Sequence, residues 1–382
     1  MSLLDKYYTG EHQIFRESVR RYFEKEVTPH ADLWEKEGIV PKDAWKKFGS
    51  QGFLCPWLPE EYGGSGADFL YSFILAEELA RTHCGGFFFP LHSDIIVPYL
   101  FTYGNDEQKQ RWLPGCVTGD GITALAMTEP GTGSDLAAIR TTAVKDGDSY
   151  VINGQKTFIS NGINCDLVIV AARDPEIKQE HQAVDLYLVE AGTPGFEKGK
   201  QIKKIGWHGQ DTAELYFTDC RIPKENRLGE KGSGFIKLMM KLQQERLICA
   251  IGAQAAAEYM LDITIKYCKE RTAFGRPISR FQHISFEIVE MATEVRLGRT
   301  FLDKLIADHM EGREIVVDVS MAKYWTTDMA SRVADRCVQL FGGYGYCAEY
   351  PVSRFYTDAR IQTIYAGTSE VMKLIVARSM GL

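Results

Sequence analysis

Hydrophobic positions recur three and four residues apart through the first third of this sequence. In "EHQIFRESVRRYFEKEV" (residues 11–27) and "FLYSFILAEELAR" (residues 69–81) the period is that of amphipathic helices. Between about 121 and 230 the pattern turns to short β-rich runs: "SYVINGQKTFIS", "LVIVAAR", "VDLYLVEA" and "AELYFTDCRI", with Gly, Pro, Asn and Asp between them. From about 231 the helical period returns in long segments, beginning with "GFIKLMMKLQQERLICAIGAQAAAEYMLDITIKYCKER". The expected fold is therefore α+β and mostly helical. It has an N-terminal helical domain (1–120), a central β-domain (121–230) and a C-terminal helical bundle (231–382), closely packed because no low-complexity linker or internal repeat intervenes.

The chain's 382 residues exceed what one hydrophobic core usually serves, which agrees with two or three domains. A net charge of −7 and a pI near 5.7 argue against nucleic acid or an anionic membrane as the main partner. No apolar run is read as a membrane span, and the N-terminus lacks a signal-peptide layout. The nine cysteines include no C-x-x-C pair and read as reduced thiols. A cytoplasmic location is expected, or the mitochondrial matrix if a transit peptide has been removed. The eight histidines form no H-x-H or H-E-x-x-H pattern, so no metal site is expected.

Several stretches carry chemistry. In "ALAMTEPGTGSDLAAIRTTA" (124–143), Gly131 and Gly133 allow close backbone approach to a ligand, while Thr128 and Ser134 add hydroxyls. G-T-G-S-D lacks the third glycine and the strand–turn–helix context of a dinucleotide-binding fingerprint. Alone, such a loop is more often just a turn. It is followed by "INGQKTFISNG" (152–162), "RTAFGRPISRFQ" (271–282), "QLFGGYGY" (339–346) and "IYAGTSE" (364–370). With "GNDEQKQRWLP" at 104 and "GQDTAELYFTDCRIPKENRLGE" at 209, the chain closely resembles the FAD-dependent acyl-CoA dehydrogenases along essentially its whole length.

That resemblance implies a central β-barrel-like domain and a C-terminal four-helix bundle, with FAD between them and part of its site supplied by a neighbouring subunit. Matched by motif, Leu125, Met127, Thr128 and Ser134 would lie along FAD, with Ser134 near the pyrophosphate and within reach of substrate. Phe158, Ile159 and Ser160 would cover one isoalloxazine face, Phe158 standing where the family often has tryptophan. Arg271, Phe274, Gln282, Gln339 and Gly343 would hold the adenine-nucleotide half from the partner, and Thr368 and Glu370 would close the site. Tyr365, Ala366 and Gly367 would border the substrate.

The reaction needs a carboxylate base, held in a largely dry pocket where its proton affinity rises. Many family members carry it as I-Y-E-G-T; here that position is Ala366. "LQQERLICAIGA" offers a substitute. At about 100° per residue, Glu245 falls within about 40° of Leu238, Leu242, Cys249 and Gly252 on one helical stripe. An ion pair with Lys241, or with a distant arginine, would explain it without chemistry. The isovaleryl- and long-chain members, however, place their base in a similar E-R-L context, which assigns the role to Glu245 and a CoA contact to Arg246. Asp94, in "FFFPLHSDIIVPYL", matches a segment lining the family's acyl pocket, where relatives have a small neutral residue. It would be a helix cap, a satisfied polar residue, or a second catalytic carboxylate facing Glu245 across one dry cavity.

The sequence thus implies an FAD-dependent acyl-CoA dehydrogenase: proton abstraction by a carboxylate, hydride transfer to flavin N5, and electrons passed to an electron-transfer flavoprotein. A homotetramer is implied by the shared cofactor site. Asp94 favours a compact or alicyclic substrate such as cyclohexenecarboxyl-CoA. The alternatives are a straight- or branched-chain 2,3-dehydrogenase with Glu245 as sole base, or a non-catalytic flavin- or CoA-binding assembly protein.

Overall fold

The structure, a computed structural model, describes residues 3–382. The N-terminal layer contains α1 (Gly10–Tyr22), α2 (Ala31–Glu37), α3 (Lys42–Ser50), α4 (Phe69–Ala80), α5 (Val97–Tyr103) and α6 (Asp106–Thr118). A π-helical turn, Leu91–Ile96, leads into α5. Polar side chains set the register of these helices. Asp68 caps α4 by accepting from Leu70 N at 2.8 Å, and its carboxylate also meets His12 Nε2 of α1 at 3.2 Å. Glu78 of α4 is buried and accepts from both Arg16 and Arg20 of α1. The N-terminus of α6 carries a reciprocal Asn105–Gln108 capping box.

The middle layer is a curled seven-stranded sheet: β1 (Thr123–Ala126), β2 (Thr142–Asp146), β3 (Ser149–Ser160), β4 (Leu167–Arg173), β5 (Val184–Glu190), β6 (Phe196–Gln201) and β7 (Thr212–Pro223). The strand order is β1-β4-β2-β3-β7-β6, with β5 pairing β4. β1 runs parallel to β4, while β3 pairs antiparallel with β2 and β7. Alternation places Ala124, Ala126, Ile152, Val168, Val170 and Leu215 in the sheet's own core. A bulge between Lys156 and Ile159 interrupts the β3–β7 ladder, and it bears on the site below.

After a four-residue helix, α7 (Glu180–Ala183), the chain enters the bundle: α8 (Gly234–Glu270), α9 (Gln282–Met310), α10 (Val316–Phe341), α11 (Pro351–Gln362) and α12 (Ser369–Ser379). α10 packs against the other four. Between α8 and α9 lies a small hairpin, β8 (Thr272–Ala273) and β9 (Arg276–Pro277). Asp185 of β5 accepts from Gly232 N at 2.9 Å and from Gly234 N at 3.3 Å, so the sheet fixes where α8 begins. Arg299 of α9 ties the layers together through Glu77 of α4 and Glu258 of α8. By length and composition α8 could cross a membrane, contrary to the sequence expectation, but 67% of that apolar window is buried inside the molecule.

Candidate active site

Glu245 sits about a third of the way along the bundle's longest helix, on a stripe where Leu238, Leu242 and Cys249 are also buried. The residue is only 9% exposed, and its Oε2 is buried with no hydrogen-bond partner among the described residues. The ion pair with Lys241 does not form; that ammonium lies instead 5.7 Å from the centre of the Tyr103 ring. Burial pushes the Glu245 carboxyl up to about 7, against the opposing pull of the Arg246 and Lys323 charges. A carboxylate without a partner in an apolar setting is unfavourable for stability and suited to accepting a proton. Arg246 is also buried, with Nη1 3.5 Å from Ser320 Oγ and Nε unpartnered.

The strap Tyr365–Ala366–Gly367 passes beside this group. Ala366 (φ +53°) and Gly367 (φ +90°) are both left-handed, and the Gly367 carbonyl accepts from the buried Lys323 Nζ at 2.7 Å. Tyr365 meets Trp207 edge-on at 5.6 Å, and Trp207 packs on Phe88 at 4.9 Å. Gly85 makes room for that indole, since a Cβ there would fall 2.7 Å from Trp207 Nε1.

Behind these rings a narrow cavity of about 60 Å³ opens between α4, α8 and α11. Along α8 its wall is Ile248, Gly252, Ala256 and Met260, one face at a spacing of four. Twelve residues of helix span roughly 18 Å. The opposite walls are small as well, with Ala76 and Ala80 from α4 and Ala359 from α11.

Asp94 requires a correction. It lies within the π-helical turn and caps no helix. Its carboxylate accepts from Ser72 Oγ at 2.6 Å, and its backbone carbonyl accepts from Gln244 Nε2 at 2.7 Å. Burial pushes it up to about 7 with Ser72 opposing, and the charge of Glu245 plays no part. Neither carboxylate figures among the charges that act on the other.

The cofactor motifs form two groups. Leu125, on the face of β1 away from the sheet's core, and Met127, just past the strand's end, are partly exposed. Thr157 N donates to Thr128 O at 2.9 Å, and the buried Lys156 donates to Met127 O at 2.9 Å and to Glu129 at 2.8 Å. These bonds bring Thr128 alongside the bulge, where Phe158 (φ +58°) turns outward and is 64% exposed, Ile159 is buried and Ser160 partly buried. A large apolar ring held outward in the left-handed region has no packing reason within the chain, and it fits a flat ligand laid against it. Gly131 and Gly133 have open space where a side chain would stand, and Ser134 is exposed beyond them.

The second group gathers at the far end of the bundle. Arg271 and Gly343 line a cleft of about 510 Å³, with the Arg271 guanidinium 5.6 Å from the Tyr344 ring centre. Phe274 (φ +51°) projects from the β8–β9 hairpin and is 95% exposed. Gln282 opens α9, and Gln339 lies in the last turn of α10; both are exposed. Thr368 caps α12 by accepting from Val371 N at 3.3 Å, and Glu370 is exposed in its first turn.

Residues 9–120, 124–220 and 232–381 match, in turn, the family models for the N-terminal, middle and C-terminal domains of acyl-CoA dehydrogenase. The chain belongs to the acyl-CoA dehydrogenase family. It is an enzyme of that flavoprotein family, and the exposed Phe158 bulge and open glycine loop fit such a cofactor. It is 45% identical over 374 residues to the long-chain specific mitochondrial acyl-CoA dehydrogenase of Sus scrofa, covering 98% of this chain and 87% of the relative. A crystal structure of acyl-CoA dehydrogenase from Geobacillus kaustophilus is 55% identical, with a TM-score of 0.96 over 98% of this chain and 99% of that one. A glutaryl-CoA dehydrogenase from Mycobacterium smegmatis, solved in complex with FADH2, is 27% identical with a TM-score of 0.91, covering 98% and 96%.

Three residues of this acyl-CoA dehydrogenase's site did not emerge from sequence: Lys323, Trp207 and Tyr99, the last a buried α5 side chain close enough to feel the Glu245 charge. For Lys323 a signal existed. It falls on the apolar stripe of α10 with Val319, Thr326 and Ala330, as Glu245 does on α8. Trp207 and Tyr99 carried none, because one lies in a loop and the other in an all-apolar run.

Proposed function

We propose that this acyl-CoA dehydrogenase oxidises long, straight-chain acyl-CoA thioesters between C2 and C3, with Glu245 as the base. The observation that carries this reading is the unpartnered Glu245 carboxylate, about one turn of α8 before Ile248, where the wall of a narrow, mostly apolar cavity begins. Thioester carbonyl and Glu245 would meet beside Tyr365, and the hydrocarbon would run down α8 past Gly252 and Ala256. A proton affinity raised by burial suits removal of a weakly acidic C–H near neutral pH. Tyr365, Trp207 and Phe88 would exclude water there, and Arg246 would contact CoA. FAD, when bound, supplies the hydride acceptor. Leu125, Met127, Thr128, Ser134 and Phe158 to Ser160 would hold it on one side, with Thr368 and Glu370 at its edge. Arg271, Phe274, Gln282, Gln339 and Gly343 would come from a second copy.

The compact-ring substrate loses its support, because its argument rested on Asp94 and that carboxylate is engaged by Ser72. Family membership supports an electron-transfer flavoprotein as the electron acceptor. A homotetramer is supported by α9, whose Phe286, Val289 and Leu297 are 56%, 61% and 61% exposed on one face. A cytoplasmic location is proposed on the nine unpaired thiols. The test is a substrate panel on purified, FAD-quantified protein. We expect about one FAD per chain and a kcat/KM that rises from butyryl- to palmitoyl-CoA and exceeds that for cyclohexenecarboxyl-CoA. Preference for the ring, or protein that takes up no FAD, would overturn the reading.

A further inference from the structure

Lys323, on α10, is fully buried, yet its ammonium makes no ion pair within 4.0 Å among the described residues. Its partner is a neutral carbonyl, Gly367 O at 2.7 Å, and its Nζ stands 5.7 Å from the centre of the Tyr365 ring. Burying a cation for a single neutral hydrogen bond is unfavourable unless something else uses the charge.

Two features of the surroundings supply that use. The carbonyl it holds belongs to a strap with two successive left-handed residues, Ala366 and Gly367, one of them not a glycine. Such a turn persists only where its neighbours over-determine it. The second is Glu245. The groups that face it are Arg246 and Cys249 from its own helix, Tyr99 from α5, Tyr365 from the strap and Lys323 from α10. Only Arg246 and Lys323 are cations, and Arg246 is the residue expected to turn toward CoA. Burial pushes Lys323 down to about 8, so at neutral pH it is still the positive charge that stays in place when substrate arrives.

We propose that Lys323 is a positioning residue of this active site: it anchors the Tyr365–Gly367 strap through the Gly367 carbonyl and sets a positive charge beside Glu245 at neutral pH. The inference rests on Glu245 being the base. Attraction to the ammonium favours the ionised carboxylate, whereas burial favours the protonated one, so the lysine keeps the base available at neutral pH. It also holds the aromatic wall of the cavity through Tyr365.

The experiment compares Lys323→Met, Lys323→Gln and Lys323→Arg in the FAD-loaded, full-length enzyme. It reads kcat/KM against pH, together with exchange of the substrate's α-hydrogen in D2O. Removing the cation raises the proton affinity of Glu245, so the acid limb should move to higher pH by roughly one unit in the Met and Gln variants. The loss should be about tenfold at pH 6.5 and largely recovered at pH 9, and Lys323→Arg should restore the wild-type limb. An unmoved limb in a folded neutral variant, or an equal loss at every pH, would overturn the proposal. Should Lys323→Met fail to fold, Lys323→Gln retains a donor for Gly367 O and carries the readout; failure of both would make Lys323 structural and also overturn it. Glu245→Gln is run alongside: if that variant is unimpaired, the base assignment fails instead.

Discussion

Glu245 and Asp94 are both buried carboxylates pushed up to about 7, and they differ in what touches them. Asp94 has a hydroxyl donor and no cation; Glu245 has two cations nearby and a bare oxygen. The stability consequence for Asp94 has a definite sign. Its folded value lies above the ordinary 3.8, so its contribution is present at low pH and is lost as pH rises through about 7. Asn does not titrate. We therefore expect Asp94→Asn to gain on wild type in unfolding free energy between pH 4 and pH 8, by up to about 4 kcal/mol at about 1.36 kcal/mol per unit. Denaturant unfolding at the two pH values measures this, and turnover on straight-chain substrate should stay within a few-fold. A hundredfold loss of turnover in a stable variant would reinstate Asp94 as catalytic. From sequence the two acids could not be told apart, because the pattern shows that a carboxylate lies on an apolar face but not which neighbour meets it. The Ser72–Asp94 bond joins elements 22 residues apart, and no local pattern encodes it.

At the scale of elements, α8 does most of the positioning. Its long apolar period was visible in the sequence, as were β3, β4 and β5, because period and length are local properties. The bulge in β3 was not visible. It depends on how β7 pairs across it, yet it is what turns Phe158 outward. The cavity was also hidden, since its walls come from α4, α8, α10 and α11 together. Gly252 offers a direct probe of it. A Cβ at this position meets nothing within 4 Å, so a side chain there would enter the cavity. Gly252→Leu should lower kcat/KM for palmitoyl-CoA at least tenfold while leaving butyryl-CoA within a few-fold. Its melting temperature should not fall, because glycine within a helix costs about 0.8–1.0 kcal/mol relative to good helix formers. Equal losses on both chain lengths would place the acyl group elsewhere.

For the whole molecule, the order of helices, sheet and helices was legible from composition and period alone. The joining of the layers was not, because Asp185 at the start of α8 and Arg299 between α4, α8 and α9 act across long sequence separations. The outer face of α9 is the clearest support for the proposed assembly. One edge of that helix is engaged by α10 through Arg332 and Arg336 with Glu287, Glu290 and Glu294, while Phe286, Val289 and Leu297 remain bare. If the proposed oligomer forms through this face, Val289→Glu combined with Leu297→Glu should dissociate it by sedimentation and lower FAD content with it. Dissociated subunits that keep full FAD would show that each chain completes its own cofactor site.

The central claim is that the proton-accepting group, absent at Ala366, has its place on α8. It is tested most directly by the rate of α-proton removal from the best straight-chain substrate by FAD-loaded Glu245→Gln, measured beside wild type. The account predicts a slowing of about 10² or more, with FAD content and melting temperature held at or above wild type, since a buried carboxylate without a partner has been replaced by a neutral group of the same shape. A Glu245→Gln enzyme that removes the α-proton at close to the wild-type rate would contradict it.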